Sequence, residues 1–405
     1  MKKQNSSIKV LLTLITSVFL MQLLTGSTFG QARSNNYERI TIVGETANKG
    51  VYDPAIEYNQ NGSVGWLVYS ALESPNDRRK LLPIPKTIAT HLAKSTDHGK
   101  TWEFISELNS SAEATVTING KTIKGVWWNE VPTLVHDPDD PGREWKLFWH
   151  KYFAIPKPYF RFPVRAKGNL IRVPQYMWIA YKYAKTPEEL ASAKEVILFG
   201  AGKLPLAPYK AEHNLNEIIS WPEAKAYSEP GSLYNDGVLY LSLSGFTGPD
   251  VKHDKLFLLA TFDHGRTWKY AGNLIDYDDA ANLDYIRLTG SSLVEENGRF
   301  FLLVSPVKLE NNKGVQLGTY VFEFEDISKA KLKRDKKGKL VVCKYLKRSL
   351  PEELNSGQSD YDKYNTYGGI IMPQGDLSSA PAYAQIFNTK EGIINKQSGV
   401  SNDKK

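Results

Sequence analysis

Cysteine is almost missing from this 405-residue chain. Cys343 stands alone, so no internal disulfide is available and the folded state depends on its core. That cysteine sits in the apolar run LVVCKYL with no histidine beside it, and it reads as an inert buried thiol. Helical periodicity is scarce as well. The best candidate is a short segment, 186–194, with Pro187 in its first turn. The seven histidines show no HxxxH or comparable spacing, so no catalytic metal and no cofactor is expected. His150, in LFWHKYF, is the one candidate ligand for a structural channel ion, and a packed core histidine is the plainer reading. Dense charge of one sign is lacking too. The formal charge is +7, and the first 32 residues hold three lysines and no acid, which leaves +4 for the rest. Nucleic acid is therefore excluded as a partner. The one basic cluster, KAKLKRDKKGK at 329–339, reads as a hairpin whose tip is 335–338. Long apolar runs are confined to the start. Lys2, Lys3 and Lys9 precede the mostly apolar stretch 10–24, and Gly30-Gln31-Ala32 offers small residues where a signal peptidase reads. Residues 1–32 are expected to be an export signal. The product would be secreted or periplasmic, free of the membrane once cut, and monomeric; 388–405 would be a polar tail.

An octapeptide is present twice. STDHGKTW ends at Trp102 and TFDHGRTW ends at Trp268. Gly99 and Gly265 allow a positive φ at a hairpin tip, Asp97 and Asp263 can accept from the amides of the turn, and Trp102 and Trp268 start the return strand. Both aspartates are thus structural. A repeated turn implies a repeated unit. Five segments share one grammar of polar residue, small-residue step, apolar strand, turn and aromatic-rich strand, beginning near Tyr52, Asn129, Ser228, Arg287 and, more loosely, Tyr367. The expectation is an all-β fold, a five-bladed β-propeller over 33–387, with YERITIV at 37–43 adding a last strand to the short fifth unit and closing the ring.

In such a ring the start of each innermost strand lies at one end of the channel. Aligned on their first strands, three units put a carboxylate there: Asp53, Glu130 and Glu229. The fourth has Thr289 and the fifth Tyr367. Carboxylates crowded into one pocket push at least one pKa upward, the split that glycoside hydrolysis needs. Trp128, two residues from Glu130, is the leading sugar platform. Tyr52 and Trp127 flank the acids, Tyr227, Phe246 and Tyr285 lie near other strand starts, and Arg287 supplies a cation, or else pairs with Asp284.

The two octapeptides resemble the Asp-box of sialidases and other propellers. Asp53-Pro54, Glu229 beside Pro230 and a carboxylate between them resemble the five-bladed glycosidases that include arabinanases and β-xylosidases. That resemblance implies a secreted glycoside hydrolase acting on a carbohydrate, with Asp53 as general base, Glu229 as general acid and Glu130 orienting Glu229. The chain departs from the pattern in having Glu130 where Asp is usual and Pro230 directly after Glu229. Two other readings remain at this level. A six-bladed sialidase-like enzyme would need Arg165, Arg172 and Arg287 as an arginine triad, although Tyr-Asp-Pro replaces its Arg-Ile-Pro motif. A non-catalytic propeller binding glycan or protein is the other.

Overall fold

The computed structural model describes residues 38–388 apart from 48–49, 74–86, 119, 155–163, 167–168, 172–176, 201–205, 208–209, 248–250, 311–312, 347–357, 363–368 and 374–385. The expected signal (1–32), the stretch after Asn388, Tyr367 and Arg172 lie outside the described residues, as does the side chain of Arg165.

The chain is an all-β propeller. Its sheets are antiparallel meanders laid down in sequence order. The first runs Val51–Tyr58, Gly65–Glu73, Thr87–Ser95, Trp102–Asn109. The second is built on Lys121–His136, Trp145–Ala154, Met177–Ala184 and Val196–Gly200, with Ala112–Ile118 folded back on the start of its long inner strand. The third runs Ala226–Asn235, Val238–Phe246, Lys255–Thr261, Lys269–Ile275, and the fourth is led by Arg287–Glu296, Arg299–Glu310 and Thr319–Asp326. Two-residue turns join the inner pairs where sequence allows left-handed backbone: Asp236-Gly237 (φ 48° and 80°) and Asn297-Gly298 (φ 54° and 72°).

A further sheet draws on both extremes of the described chain. Asp360–Asp362, Gly369–Pro373 and Ile386–Asn388 pair in turn, and Glu38–Ile40 adds antiparallel to the last of them. Two residues on, Ile42–Val43 pairs parallel with Trp102 and Glu103 of the first sheet. Glu45 follows; its carboxylate accepts from the Tyr69 hydroxyl and lies 3.0 Å from Nδ1 of His91. The segment expected to close the ring does pair there, and it grips two sheets rather than one.

The core explains why the strands read as near-continuous apolar runs. In Val238–Phe246, Leu239, Leu241 and Leu243 face a cluster with Val135, Phe148 and Ile179 of the second sheet, while Tyr240 faces Leu302 and Phe322 of the fourth. Both sides of one strand are therefore buried against different neighbours. Each fully buried leucine or phenylalanine contributes about 1.5–3 kcal/mol. The innermost strands Val51–Tyr58, Lys121–His136, Ala226–Asn235, Arg287–Glu296 and Asp360–Asp362 touch in that order, and the last touches the first. Side chains stitch these contacts: Ser232 N donates to Thr133 Oγ1 (3.1 Å) and Ile56 N to Asp360 Oδ2 (2.7 Å).

Three details differ from the sequence reading. Cys343 is exposed, not buried, because its strand Val342–Leu346 lies outside Thr319–Asp326 and, among the described residues, pairs with that strand alone. The helix at 186–194 shrinks to a single 3-10 turn, Glu188–Ala191, since Leu190 is its only buried residue and no apolar stripe extends it. Short helices at Leu215–Ile218 and Tyr277–Ala281 were not foreseen. The basic hairpin forms as expected, with Gly338 at φ 78° and Asp335 Oδ1 accepting from the amides of Lys337 and Lys339.

Candidate active site

Each of the four meanders breaks its inner-strand register at one place. The shifts fall between Tyr52 and Ala55, Glu130 and Thr133, Ser228 and Gly231, and Thr289 and Ser292. Two residues bulge out at each. The first of the pair is left-handed every time: Asp53 (φ 51°), Val131 (52°), Glu229 (58°) and Gly290 (61°). Only glycine takes that conformation freely, so three of the four bulges hold strained backbone. Proline follows in those three, at Pro54, Pro132 and Pro230, where no ladder hydrogen bond asks for an N–H.

These bulges correct the alignment drawn from sequence. The true equivalents are Asp53, Val131, Glu229 and Gly290. Glu130 lies one residue earlier, matching Tyr52, Ser228 and Thr289. Sequence spacing does not reveal a two-residue bulge, so Glu130 was set level with Asp53 and Glu229. The acids nonetheless meet: the charges of both Glu130 and Glu229 act on Asp53.

Asp53 is buried. Its Oδ2 accepts from the Ser70 hydroxyl and its Oδ1 from the Gln358 amide, both at 2.9 Å. Ser70 in turn accepts from Val131 N (2.8 Å), so one hydroxyl ties two bulges together. Burial first, then repulsion from Glu130, raises the Asp53 carboxyl to about 7; the Gln358 amide and Ser70 hydroxyl oppose this, and Glu229 adds to it.

Glu229 keeps part of its surface open, and its Oε2 accepts from Gly290 N at 3.0 Å. Burial of the carboxyl raises its pKa, offset in part by the Gly290 amide, the charge of His150, the Ser244 hydroxyl and Arg287. Glu130 Oε1 lies 3.5 Å from His150 Nδ1, and the Tyr152 hydroxyl bonds the same carboxylate. Burial and the Glu130 charge push that phenol well above its ordinary value. Arg287 pairs with Asp254 (2.9 Å), not Asp284, and its guanidinium lies 4.9 Å from the centre of the Phe246 ring.

The aromatics divide by strand alternation. Trp128 faces the acids' side. It packs with Tyr52, Leu72 and Ile88 and meets Tyr152 edge-on at 5.4 Å. Trp127 points the other way, into a core with Phe153 and Trp178, and is not a platform. Tyr227 is core with its hydroxyl on Asn216, and Tyr285 lies against Tyr320 and Tyr345. Sequence reasoning missed Ser70, Tyr152, Ser244 and Gln358. Ser70 had a faint signal, a hydroxyl amid the apolar run WLVYSAL; Gln358 had none.

In both repeated turns the aspartate is held by groups of the turn itself. Asp97 Oδ1 accepts from the amides of Lys100 and Thr101 and its Oδ2 from the Thr101 hydroxyl; Asp263 does the same with Arg266 and Thr267. Trp102 and Trp268 each return their indole N–H to the turn glycine's carbonyl, at 3.1 and 3.2 Å. Beside the second turn, Asp137, Asp140 and His264 come close enough to share an ion. The buried Lys146 ammonium fills that role, 2.7 Å from Asp137 and 3.1 Å from Asp140.

No family model matches this chain, and no curated protein does. Solved structures similar to it include Zg3597, a family 117 glycoside hydrolase from Zobellia galactanivorans, at 10% identity, covering 87% of this chain and 89% of that one, with a TM-score of 0.48. An α-L-arabinofuranosidase from Lactobacillus brevis is similar at 11% identity, with coverages of 84% and 90% and a TM-score of 0.47. The native Bacillus subtilis arabinanase Arb43A is similar at 13% identity, with coverages of 84% and 94% and a TM-score of 0.45.

Proposed function

We propose that this chain is an exported five-bladed propeller that hydrolyses glycosidic bonds, with Asp53 and Glu229 as the working pair. The observation that carries this reading is the pair of bulges. Two strained, left-handed positions on different sheets are occupied by acids, both acids have raised pKa values, and a third acid stands beside them. Crowded buried charge is a cost that a purely structural ring avoids, and the equivalent positions Val131 and Gly290 carry none. Support for five blades comes from the cyclic order of the inner strands.

Both oxygens of Asp53 accept from fixed donors, which suits an ionised base that activates water. Glu229 is fastened to backbone through Oε2 alone, which suits an acid that protonates the leaving oxygen. Trp128 is the sugar platform. The substrate is a neutral glycan: Arg287 is neutralised by Asp254 and stacked on Phe246, so it is not free to grip a sugar carboxylate as a sialidase requires.

The test is a panel of aryl glycosides: α-L-arabinofuranoside, β-D-xyloside, β-D-fructofuranoside and sialoside. Release from a neutral member that vanishes in Glu229→Gln supports the reading. Release from the sialoside alone supports the acidic-sugar alternative. Binding without release on a matching glycan array means a non-catalytic propeller.

A further inference from the structure

The stretch that pairs with both the closing sheet and the first sheet ends in a buried charge cluster. Glu45 follows Ile42–Val43, and its side chain is 1% exposed. A carboxylate taken out of water is costly unless it is paired and hydrogen-bonded, and this one is both. Its Oε1 accepts from the amides of Thr46 (2.7 Å) and Ala47 (2.6 Å). Its Oε2 accepts from the Tyr69 hydroxyl and lies 3.0 Å from Nδ1 of His91. The His91 ring is buried in turn, edge-on to Tyr69 and tilted against Phe104. Its Nε2 lies 3.5 Å from Oε2 of Glu107, which stands opposite it on Trp102–Asn109 and is open to solvent. One ring thus meets a carboxylate at each nitrogen. Only the imidazolium can donate to both, because a neutral ring carries a single N–H.

We propose that Glu45, His91 and Glu107 form a pH-dependent clasp: the imidazolium bridges the stretch 38–47 to the first sheet, and loss of its proton releases that stretch while the sheets beneath stay folded. The titratable groups facing the ring are Glu45 from that stretch, Tyr69 from Gly65–Glu73 and Glu107 from Trp102–Asn109. Burial opposes a charged ring, but the bonds to Glu107 and Glu45 prevail and raise it from 6.5 to about 9. Burial likewise pushes Glu45 up, and the bond and charge of His91, the Tyr69 hydroxyl and the Ala47 amide hold it below its ordinary value. The His91 contribution is therefore complete below pH 6.5 and lost as pH rises through about 9. That of Glu45 is present above pH 4.5 and lost as pH falls through its lowered value. Once the ring is neutral, Glu45 is a buried charge short of its partner, which is strongly destabilising. Release to water relieves it at small expense, since the stretch is otherwise held by three residue pairs to Ile386–Asn388 and two to Trp102 and Glu103. The device is independent of the chemistry proposed for the inner acids.

The experiment follows hydrogen exchange of the peptide 38–47 in the full chain by mass spectrometry, from about pH 6 to about pH 10, with each rate divided by the intrinsic rate at that pH. Protection of the wild-type peptide is expected to hold steady to about pH 8 and to fall about tenfold by about pH 10, while the strand Val238–Phe246 keeps its protection. His91→Gln is expected to be about tenfold less protected in this peptide at neutral pH and to lose the alkaline fall. If His91→Gln does not fold, Glu45→Gln is measured instead, and the midpoint of the fall should move to lower pH. Wild-type protection that stays level across the range, or that falls together with Val238–Phe246, overturns the proposal. So does a folded His91→Gln with the wild-type profile.

Discussion

The first and third sheets each present acids twice, at the inner bulge and at the outer repeated turn, and the two settings treat the carboxylate in opposite ways. Asp97 and Asp263 sit in turns open to water. Partial burial pushes them up, but hydroxyls and amides of the turn prevail and hold both below their ordinary value, Asp263 at about 2. Asp53 and Glu229 accept fewer hydrogen bonds, lie in the packed centre and feel each other's charge, and both are raised. The same chemical group is thus a fastener where donors outnumber it and a candidate reagent where they do not.

The contrast can be broken first at the inner acids. Asp53→Asn and Glu229→Gln should each cut kcat by about a hundredfold or more on the true substrate, read by initial rates, with the fold intact by circular dichroism. Next comes the joint between the third and fourth sheets. A Cβ on Gly231 would lie 2.2 Å from the Ser291 carbonyl oxygen, so Gly231→Ala should lower stability by about 3 kcal/mol in urea unfolding and disturb the Glu229 bulge with it. At the outer turns, Asp263→Ala should remove about 2 kcal/mol while leaving kcat unchanged; a loss of rate there would erase the distinction drawn between the two settings.

The remaining contrast concerns pH. Because the folded Asp53 has its pKa raised from 3.8 to about 7, the folded chain holds a proton that the unfolded chain has given up between those values. Its contribution therefore favours folding below pH 4 and is lost as pH rises toward 7. Asp53→Asn should accordingly melt at or above the wild-type temperature at pH 7.5, and the difference should vanish near pH 4, by differential scanning fluorimetry. Asp263 runs the other way: its contribution is present above pH 4 and is lost as pH falls toward 2.

Much of this was legible in the chain. Glycine at 99 and 265 with aspartate two residues earlier announced the turns, and continuous apolar strands announced sheets packed on both faces. The acids Asp53, Glu130 and Glu229 could be picked out because each interrupts such a run. The bulges were not legible, since a two-residue register shift leaves no periodic trace, and so Glu130 was set level with residues one step beyond it. Trp127 and Trp128 are indistinguishable by composition; only the pleat sends one to the core and the other toward the acids. Gln358, three hundred residues from Asp53 in the chain, reaches it through ring closure alone.

The stretch from Glu38 to Glu45 carries a consequence for assembly. Its first strand needs Ile386–Asn388 as a partner, its second needs Trp102, and Glu45 then docks on Tyr69 and His91. This short stretch therefore joins the two extremes of the described chain and covers one edge of the first sheet and one of the closing sheet, edges that would otherwise be open to pairing with another chain.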